Sequence, residues 1–149
     1  MKIEKIALYK PNIPIAYFMS ADFKSRSKFF KKLDTEYDLR RKLKAKYRYY
    51  YDIYCFNKYN GDCLKLNYKN LKSYGLVVHE QMSLPVLDNN LDEAFRKLKD
   101  YIFKEDIHEI QINCEGIEQY YDATDLMDYI HDWFILSHCK FYILGGNYD

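Results

Sequence analysis

The stretch Ile107-His-Glu-Ile-Gln-Ile-Asn-Cys114 lies at the centre of the pattern that decides the fold. Ile110, Ile112 and Cys114 alternate with polar residues, as in a strand with at least one buried side. On either side of this strand, over residues 76–144, the sequence alternates between strand-like and helix-like segments. Such an alternation predicts right-handed crossovers and a locally parallel sheet.

Four further elements complete this pattern. Residues 76–84 form an apolar strand that ends at a proline, and a helix begins at Asn90, where Glu93 completes a capping pattern three residues later. An amphipathic helix over residues 122–137 follows the central strand, and a strand over residues 141–144 closes the series. The C-terminal half is therefore predicted to be a β-α-β-α-β unit.

The N-terminal half predicts two strands followed by a helical region. Strand-like apolar runs cover residues 2–9 and 13–19, with prolines in the turn between them. Helical spacing then extends over residues 22–46, but its apolar stripe shifts near Asp34. Because Thr35 fits the capping position of a new helix, we expect two helices with a break at that point.

A β-hairpin is predicted over residues 49–69. Asn60-Gly61 accepts the positive φ angles of a type I′ turn, and β-rich runs flank it. A two-residue loop places Cys55 opposite Leu66, and the alternation of side chains along a strand then predicts one apolar face. That face comprises Tyr51, Ile53, Cys55, Leu64, Leu66 and Tyr68.

These elements together predict a mixed α+β fold. N-terminal strands, a broken basic helix and a β-hairpin are joined to the C-terminal β-α-β-α-β unit in one mixed sheet. The length fits a single domain over residues 1–149. No run of about eighteen apolar residues is present and the N-terminus is too charged for a signal peptide, so a cytoplasmic protein without membrane contact is expected. The four cysteines lack Cys-x-x-Cys spacing, which favours reduced, buried thiols.

Charge is segregated along the chain. Residues 1–74 carry 18 Lys and Arg against 7 Asp and Glu, whereas residues 75–149 carry 5 against 15, although the overall net charge is only +1. Two regions of opposite sign either neutralise each other in the fold or meet separate partners. The chain also has 17 tyrosines, which provide large contact area at low entropic cost. These features favour a protein that binds another macromolecule.

The acidic half concentrates its charge on one helix face. Five acids lie opposite the apolar stripe of the last predicted helix: Glu118, Asp122, Asp125, Asp128 and Asp132. This face is either solvated or binds a protein partner with a basic surface, towards which its charge would steer the encounter. The second interpretation, a protein–protein inhibitor of the toxin–immunity or phage-encoded type, is the leading functional hypothesis.

The basic half supports an alternative, the binding of single-stranded nucleic acid such as RNA. The second face of the predicted hairpin combines rings on which bases stack with cations that bind phosphates: Tyr50, Tyr54, Phe56, Lys58 and Lys65. Residues 24–48 add 11 Lys and Arg against three acids. The same aromatic residues are equally compatible with a core position, and the same lysines with a solvated helix.

An enzyme is the third alternative. Ligands of a parallel sheet bind at the carboxyl ends of its strands, which here lie near residues 113–115 and 145–147. Cys114 is the candidate nucleophile at that edge, with His79 or His138 as its base. Because a lone cysteine at a strand end is more often a core residue, no catalytic residue, metal ligand or cofactor is assigned.

The C-terminal half resembles the sugar-nucleotide half of fucosyltransferases. The resemblance rests on Val-Val-His at residues 77–79, the capped helix, the strand at Ile110 and residues 132–143. In that family an arginine-rich turn follows the histidine and a serine-rich loop follows the last strand. This chain has Glu-Gln-Met at 80–82 and Gly-Gly-Asn at 145–147 instead. The resemblance implies a degenerate glycosyltransferase relative with a pocket at the strand ends.

Overall fold

The computed structural model describes residues 2–47, 61–79, 88–117, 121 and 123–145. Within them, six strands form one sheet: β1 (Lys2–Ile6), β2 (Ile15–Ser20), β3 (Cys63–Tyr68), β4 (Leu71–His79), β5 (Glu109–Asn113) and β6 (Lys140–Leu144). Helices cover both faces of the sheet: α1 (Lys28–Tyr37), α2 (Leu39–Lys46), α3 (Asp88–Lys104) and α4 (Ala123–Phe134). None of the helices in these ranges is long and apolar enough to cross a membrane.

The sheet has the strand order β1-β6-β5-β2-β4-β3. All neighbouring strands run parallel except β3 and β4, which pair antiparallel. The predicted mixed α+β fold with one mixed sheet is therefore confirmed. The strand order goes beyond the prediction, since β2 from the N-terminal half lies between β5 and β4 from the C-terminal half.

The central strand β2 is buried along its whole length. Ala16 and Phe18 belong to the core on the side of α3 and α4. Ile15, Tyr17 and Met19 belong to the core on the side of α1 and α2. Because a parallel strand covered on both faces needs apolar side chains pointing both ways, this segment is a continuous apolar run without polar alternation.

The break in the N-terminal helical region lies at Asp38, and the prediction of a cap at Thr35 is wrong. Asp38 adopts a left-handed conformation with φ of 57°, and its N–H donates to Asp34 O at 2.8 Å. Aspartate tolerates this region of backbone space better than most residues. Thr35 lies inside α1, where its Oγ1 donates to Lys31 O at 3.0 Å. Residues 21–27, predicted to be partly helical, form a loop.

The hairpin in the described part of the chain joins β3 to β4. Tyr68 pairs with Leu71 across a two-residue turn. Residues 49–59, the predicted partner of β3, lie outside the described residues. The predicted pairing register between them and β3 therefore stays a prediction. Leu64 and Leu66 share the sheet face towards α1 and α2, in agreement with the predicted apolar face.

The link between β1 and β2 is held by Gln111. Since β1 and β2 run in the same direction, residues 7–14 must return across the sheet before β2 begins. Gln111 is fully buried on β5, and its Oε1 accepts a hydrogen bond from Lys10 N at 2.7 Å. Its Nε2 donates to Lys10 O at 2.8 Å and to Ile13 O at 2.9 Å. One side-chain amide thus satisfies backbone groups of a link that belongs to no strand.

Gln111→Ala should lower the free energy of unfolding by about 2 kcal/mol, because it removes three hydrogen bonds and a buried side chain. Urea denaturation followed by circular dichroism measures this change. Asn67→Ala, at an exposed position of β3, is the control and should change the value by less than about 0.5 kcal/mol. An effect of Gln111→Ala as small as that of the control would contradict the role of Gln111.

Candidate ligand-binding site at the carboxyl ends of the strands

Two neighbouring parallel strands, β2 and β5, lead into helices on opposite faces of the sheet. After β2 the chain enters α1 on one face, and after β5 it enters α4 on the other. The loops that follow these strands therefore diverge, and such a point is where open α/β sheets bind ligands. We call the space between residues 21–27 and 114–117 the switch-point crevice.

The two loops of the crevice approach each other closely at Gly116. This residue has a φ of +104°, in the region that favours glycine. A Cβ atom placed on it would lie 3.6 Å from Ser25 Oγ and 3.6 Å from Ser27 N. Glycine therefore permits the backbone turn and keeps a side chain out of the space between the loops.

Ser27 and Asn113 connect α1, β5 and β6 at the strand ends. Ser27 is the N-cap of α1, where its Oγ accepts from Phe30 N at 3.1 Å and donates to Asn113 Oδ1 at 3.0 Å. Asn113 donates from Nδ2 to Leu144 O at 3.3 Å, and both polar side chains are fully buried. The N-terminus of α1 is consequently fixed relative to the ends of two strands.

Glu115 binds the first N–H groups of α1. Its Oε1 accepts hydrogen bonds from Lys28 N and from Phe29 N, the second at 3.2 Å. The first-turn N–H groups of a helix have no intrahelical partner, and the helix dipole makes them favourable for an anion. A carboxylate of the chain itself therefore stands where an anionic group of a ligand would bind.

The loop after β2 is hydrogen-bonded to the end of that strand, and its exposed side chains include cations. Ser25 Oγ donates to Phe18 O at 2.9 Å, which fixes the loop to the end of β2. Lys24, Arg26 and Lys28 have exposed side chains. Cations beside a helix N-terminus raise the local positive potential, which favours an anionic ligand.

Sequence reasoning located one side of the crevice and missed the other. The rule on strand ends pointed to residues 113–115, which do lie there, and to residues 145–147, of which the last two are outside the described ranges. The loop over residues 21–27 was missed because it was assigned to a helix. Ser27, a good N-cap residue before an apolar helical run, was the available signal.

Cys114 and His138, considered as nucleophile and base, lie at opposite ends of the sheet. Cys114 follows the carboxyl end of β5 and is buried, whereas His138 precedes the amino end of β6 and is exposed. Since β5 and β6 are parallel and pair along their length, the two residues are separated by the full strand. No group of three His, Cys, Asp or Glu in the described part of the chain is placed to hold a metal ion.

The acidic face predicted to bind a partner is described in part. Glu118 and Asp122 lie outside the described residues. Asp125, Asp128 and Asp132 are exposed on α4. Their role in binding stays a prediction.

Of the set predicted to bind nucleic acid, only Lys65 is described; Tyr50, Tyr54, Phe56 and Lys58 lie outside the described ranges. Lys65 Nζ forms an ion pair with Glu105 Oε2. The other oxygen of Glu105 accepts a hydrogen bond from Tyr74 OH at 2.7 Å. Lys65 therefore belongs to a contact between the basic and acidic halves of the chain.

Solved structures with a similar fold include macrodomains. The macrodomain protein from Streptomyces coelicolor has a TM-score of 0.74 and 12% identity, with 98% of this chain and 100% of that chain covered. The macrodomain of Thermus aquaticus DarG has a TM-score of 0.72 and 8% identity, with 97% and 98% covered. Thermosipho africanus DarTG in complex with ADP-ribose has a TM-score of 0.64 and 9% identity, with 90% of this chain and 38% of that chain covered.

At these identities the likeness shows the fold alone: the chain has the fold of a macrodomain. No protein-family model and no curated protein matches the sequence.

These comparisons overturn the functional predictions made from the sequence. The inhibitor or immunity-type protein, the RNA-binding protein and the degenerate glycosyltransferase are all wrong, because the similar structures include macrodomains and the similar DarTG structure holds ADP-ribose. The protein partner with a basic surface is wrong on the same grounds. Charge runs and aromatic content describe a surface, and a surface of either kind is compatible with many folds.

Glu105→Gln should lower the free energy of unfolding at neutral pH and make it depend less on pH below neutrality. Burial raises the pKa of Glu105, but hydrogen bonds from Lys65 and Tyr74 outweigh this and lower the pKa below its usual value. Such a carboxylate stabilises the fold above its unfolded pKa, about 4.3, and the contribution is lost as pH falls through the folded pKa. After allowance for solvent screening, we expect a deficit of about 1 kcal/mol at pH 7 that shrinks below about pH 4.

Urea denaturation of both proteins between about pH 7 and pH 3 measures this difference. Asp128→Asn, which removes a negative charge from an exposed position on α4, is the control and should change stability little at any of these pH values. A deficit of Glu105→Gln that stayed constant with pH would show that the ionised carboxylate is not responsible.

Proposed function

We propose that this chain binds ADP-ribose or a related nucleoside diphosphate derivative in the switch-point crevice. The observation that carries the proposal is the approach of the α1 N-terminus to the loop at Gly116, where a sheet of this strand order binds ligands. A protein of similar fold holds ADP-ribose in its structure, which supports this ligand class. The cytoplasmic location predicted from the sequence belongs to the same proposal.

The diphosphate of such a ligand matches the donors at the start of α1. Lys28 N and Phe29 N already bind one carboxylate oxygen, so they are oriented towards an anionic acceptor. A phosphate oxygen accepts the same hydrogen bonds and carries more charge. The exposed ammonium and guanidinium groups of Lys24 and Arg26 add positive potential on the same loop.

Glu115 must release these N–H groups when the diphosphate binds. The carboxylate and the diphosphate need the same donors, and two negative groups at one helix terminus repel each other. In the free protein Glu115 satisfies the helix terminus. The same carboxylate weakens the binding of any anionic ligand, because the ligand must displace it.

Glu115→Gln should strengthen ADP-ribose binding by about tenfold, because glutamine keeps an oxygen acceptor for the helix N–H groups and removes the repelling charge. Isothermal titration calorimetry with ADP-ribose measures both affinities. Glu109→Gln is the matched control. It removes the same charge at the other end of β5, where the carboxylate accepts a hydrogen bond from Tyr142 OH at 2.8 Å, and should change the affinity by less than about twofold.

Two results would contradict the proposal. The first is no binding of ADP-ribose to either the original protein or Glu115→Gln at about 1 mM ligand. The second is an equal gain in affinity in Glu115→Gln and Glu109→Gln, which would show that the change comes from the net charge of the protein and not from competition at the start of α1. Amide chemical shifts give the location: saturation with ADP-ribose should move the signals of Phe29 and Gly116, and parallel titrations with ADP and ribose 5-phosphate identify which part of the ligand contributes.

A further inference from the structure

A cavity lies beside the loop that follows β2, and it is formed by that loop, α1 and the first turn of α2. Its volume is about 420 Å³. Lys24 and Arg26 contribute from the loop, Lys31 from α1 and Arg40 from α2. It shares the loop residues Lys24 and Arg26 with the switch-point crevice, whereas Lys31 and Arg40 line this cavity and have no part in the proposed function.

The charges around this cavity are unbalanced. Asp34 is the single acid among the described lining residues, and its Oδ1 accepts a hydrogen bond from the backbone N–H of Arg40 at 2.8 Å. Lys24 has one weak ion pair, with Asp22 at 3.8 Å. The side chains of Lys31 and Arg40 form no ion pair with any residue in the described ranges. Cations gathered in this way repel each other, and an anion between them relieves the repulsion.

Arg40 is held in place by the loop itself. Its Nε donates to Phe23 O at 2.6 Å. Phe23 is fully buried and has a φ of 59°, a left-handed conformation that is strained for a bulky residue. The buried ring therefore fixes an unfavourable backbone turn that presents its carbonyl to Arg40. A guanidinium positioned through Nε keeps its two terminal nitrogens for a planar acceptor.

We propose that this cavity binds a phosphate-bearing small ligand through Lys24, Lys31 and Arg40. A phosphate group carries up to two negative charges and three oxygens, which suits a fixed guanidinium together with two ammonium groups better than a single carboxylate does. The site goes beyond the proposed function, because it requires neither Glu115 nor the donors at the start of α1. Because Lys31 and Arg40, the residues tested below, belong only to this cavity, its failure and the failure of ADP-ribose binding are separate results.

Titration of ¹⁵N-labelled protein with inorganic pyrophosphate at low ionic strength tests the proposal. We expect saturable shifts of the Lys31 and Arg40 amides. Lys31→Gln should weaken this binding by about tenfold, the value of one charge-assisted hydrogen bond. Arg40→Lys, which keeps the charge but loses the planar fork, should also weaken it. Lys32→Gln is the matched control, since Lys32 is an exposed neighbour on α1 that does not line the cavity, and should change the affinity by less than about twofold.

Three results would overturn the inference. They are the absence of saturable shifts, an equal loss in Lys31→Gln and Lys32→Gln, and pyrophosphate shifts centred on Phe29 and Gly116 instead of Lys31 and Arg40. A well-dispersed amide spectrum of each variant shows that the fold is retained. Ribose 5-phosphate and inorganic phosphate, titrated in parallel, distinguish an organic phosphate from the free ion. Tighter binding of ribose 5-phosphate assigns the site to a phosphomonoester, and equal or weaker binding assigns it to the ion.

Discussion

The fold depends on the burial of β2 between β5 and β4. This strand is covered on both faces, so it contributes apolar side chains to the core under α1 and α2 and to the core under α3 and α4. Its neighbours β4 and β5 are consecutive strands in the chain, and the crossover through α3 must pass over β2 to join them. Placing β2 there also brings the loop over residues 21–27 next to the loop at Gly116. The switch-point crevice is thus a direct result of where one apolar strand is inserted.

The same insertion explains how a chain with segregated charge folds into one body. The basic N-terminal half supplies β1, β2 and β3, and the acidic C-terminal half supplies most of β4 and all of β5 and β6. Because strands of the two halves are interleaved in the sheet, charges far apart in sequence meet in space. Lys65 pairs with Glu105, and Lys140 pairs with Glu4 at 2.8 Å. Separation of charge along the sequence therefore does not keep the two halves apart in the fold.

The parts of the fold with a local signal could be predicted from the sequence, and those set by tertiary contacts could not. Hydrophobic periodicity was enough for α3, α4 and β5. The neighbours of β2 have no local signature, because a strand buried on both faces is apolar whatever it pairs with. The candidate site was also predicted only in part. Residues 113–115 followed from the rule on strand ends, whereas the loop with Ser25 and Ser27 was hidden in a stretch with helical spacing. Function could not be derived from charge, since the charged residues used as evidence were surface features.

The position of β1 affects the order in which the sheet can be completed. β1 pairs only with β6 within the described part of the chain, so residues 2–6 have no neighbour until residues 140–144 are in place. The link that follows β1 is likewise held by Gln111, which belongs to a strand from the second half of the chain. During synthesis, β1 is made before the other described strands and is therefore among the last of them to be paired. Until then its backbone groups stay open to solvent and to any other unpaired strand edge.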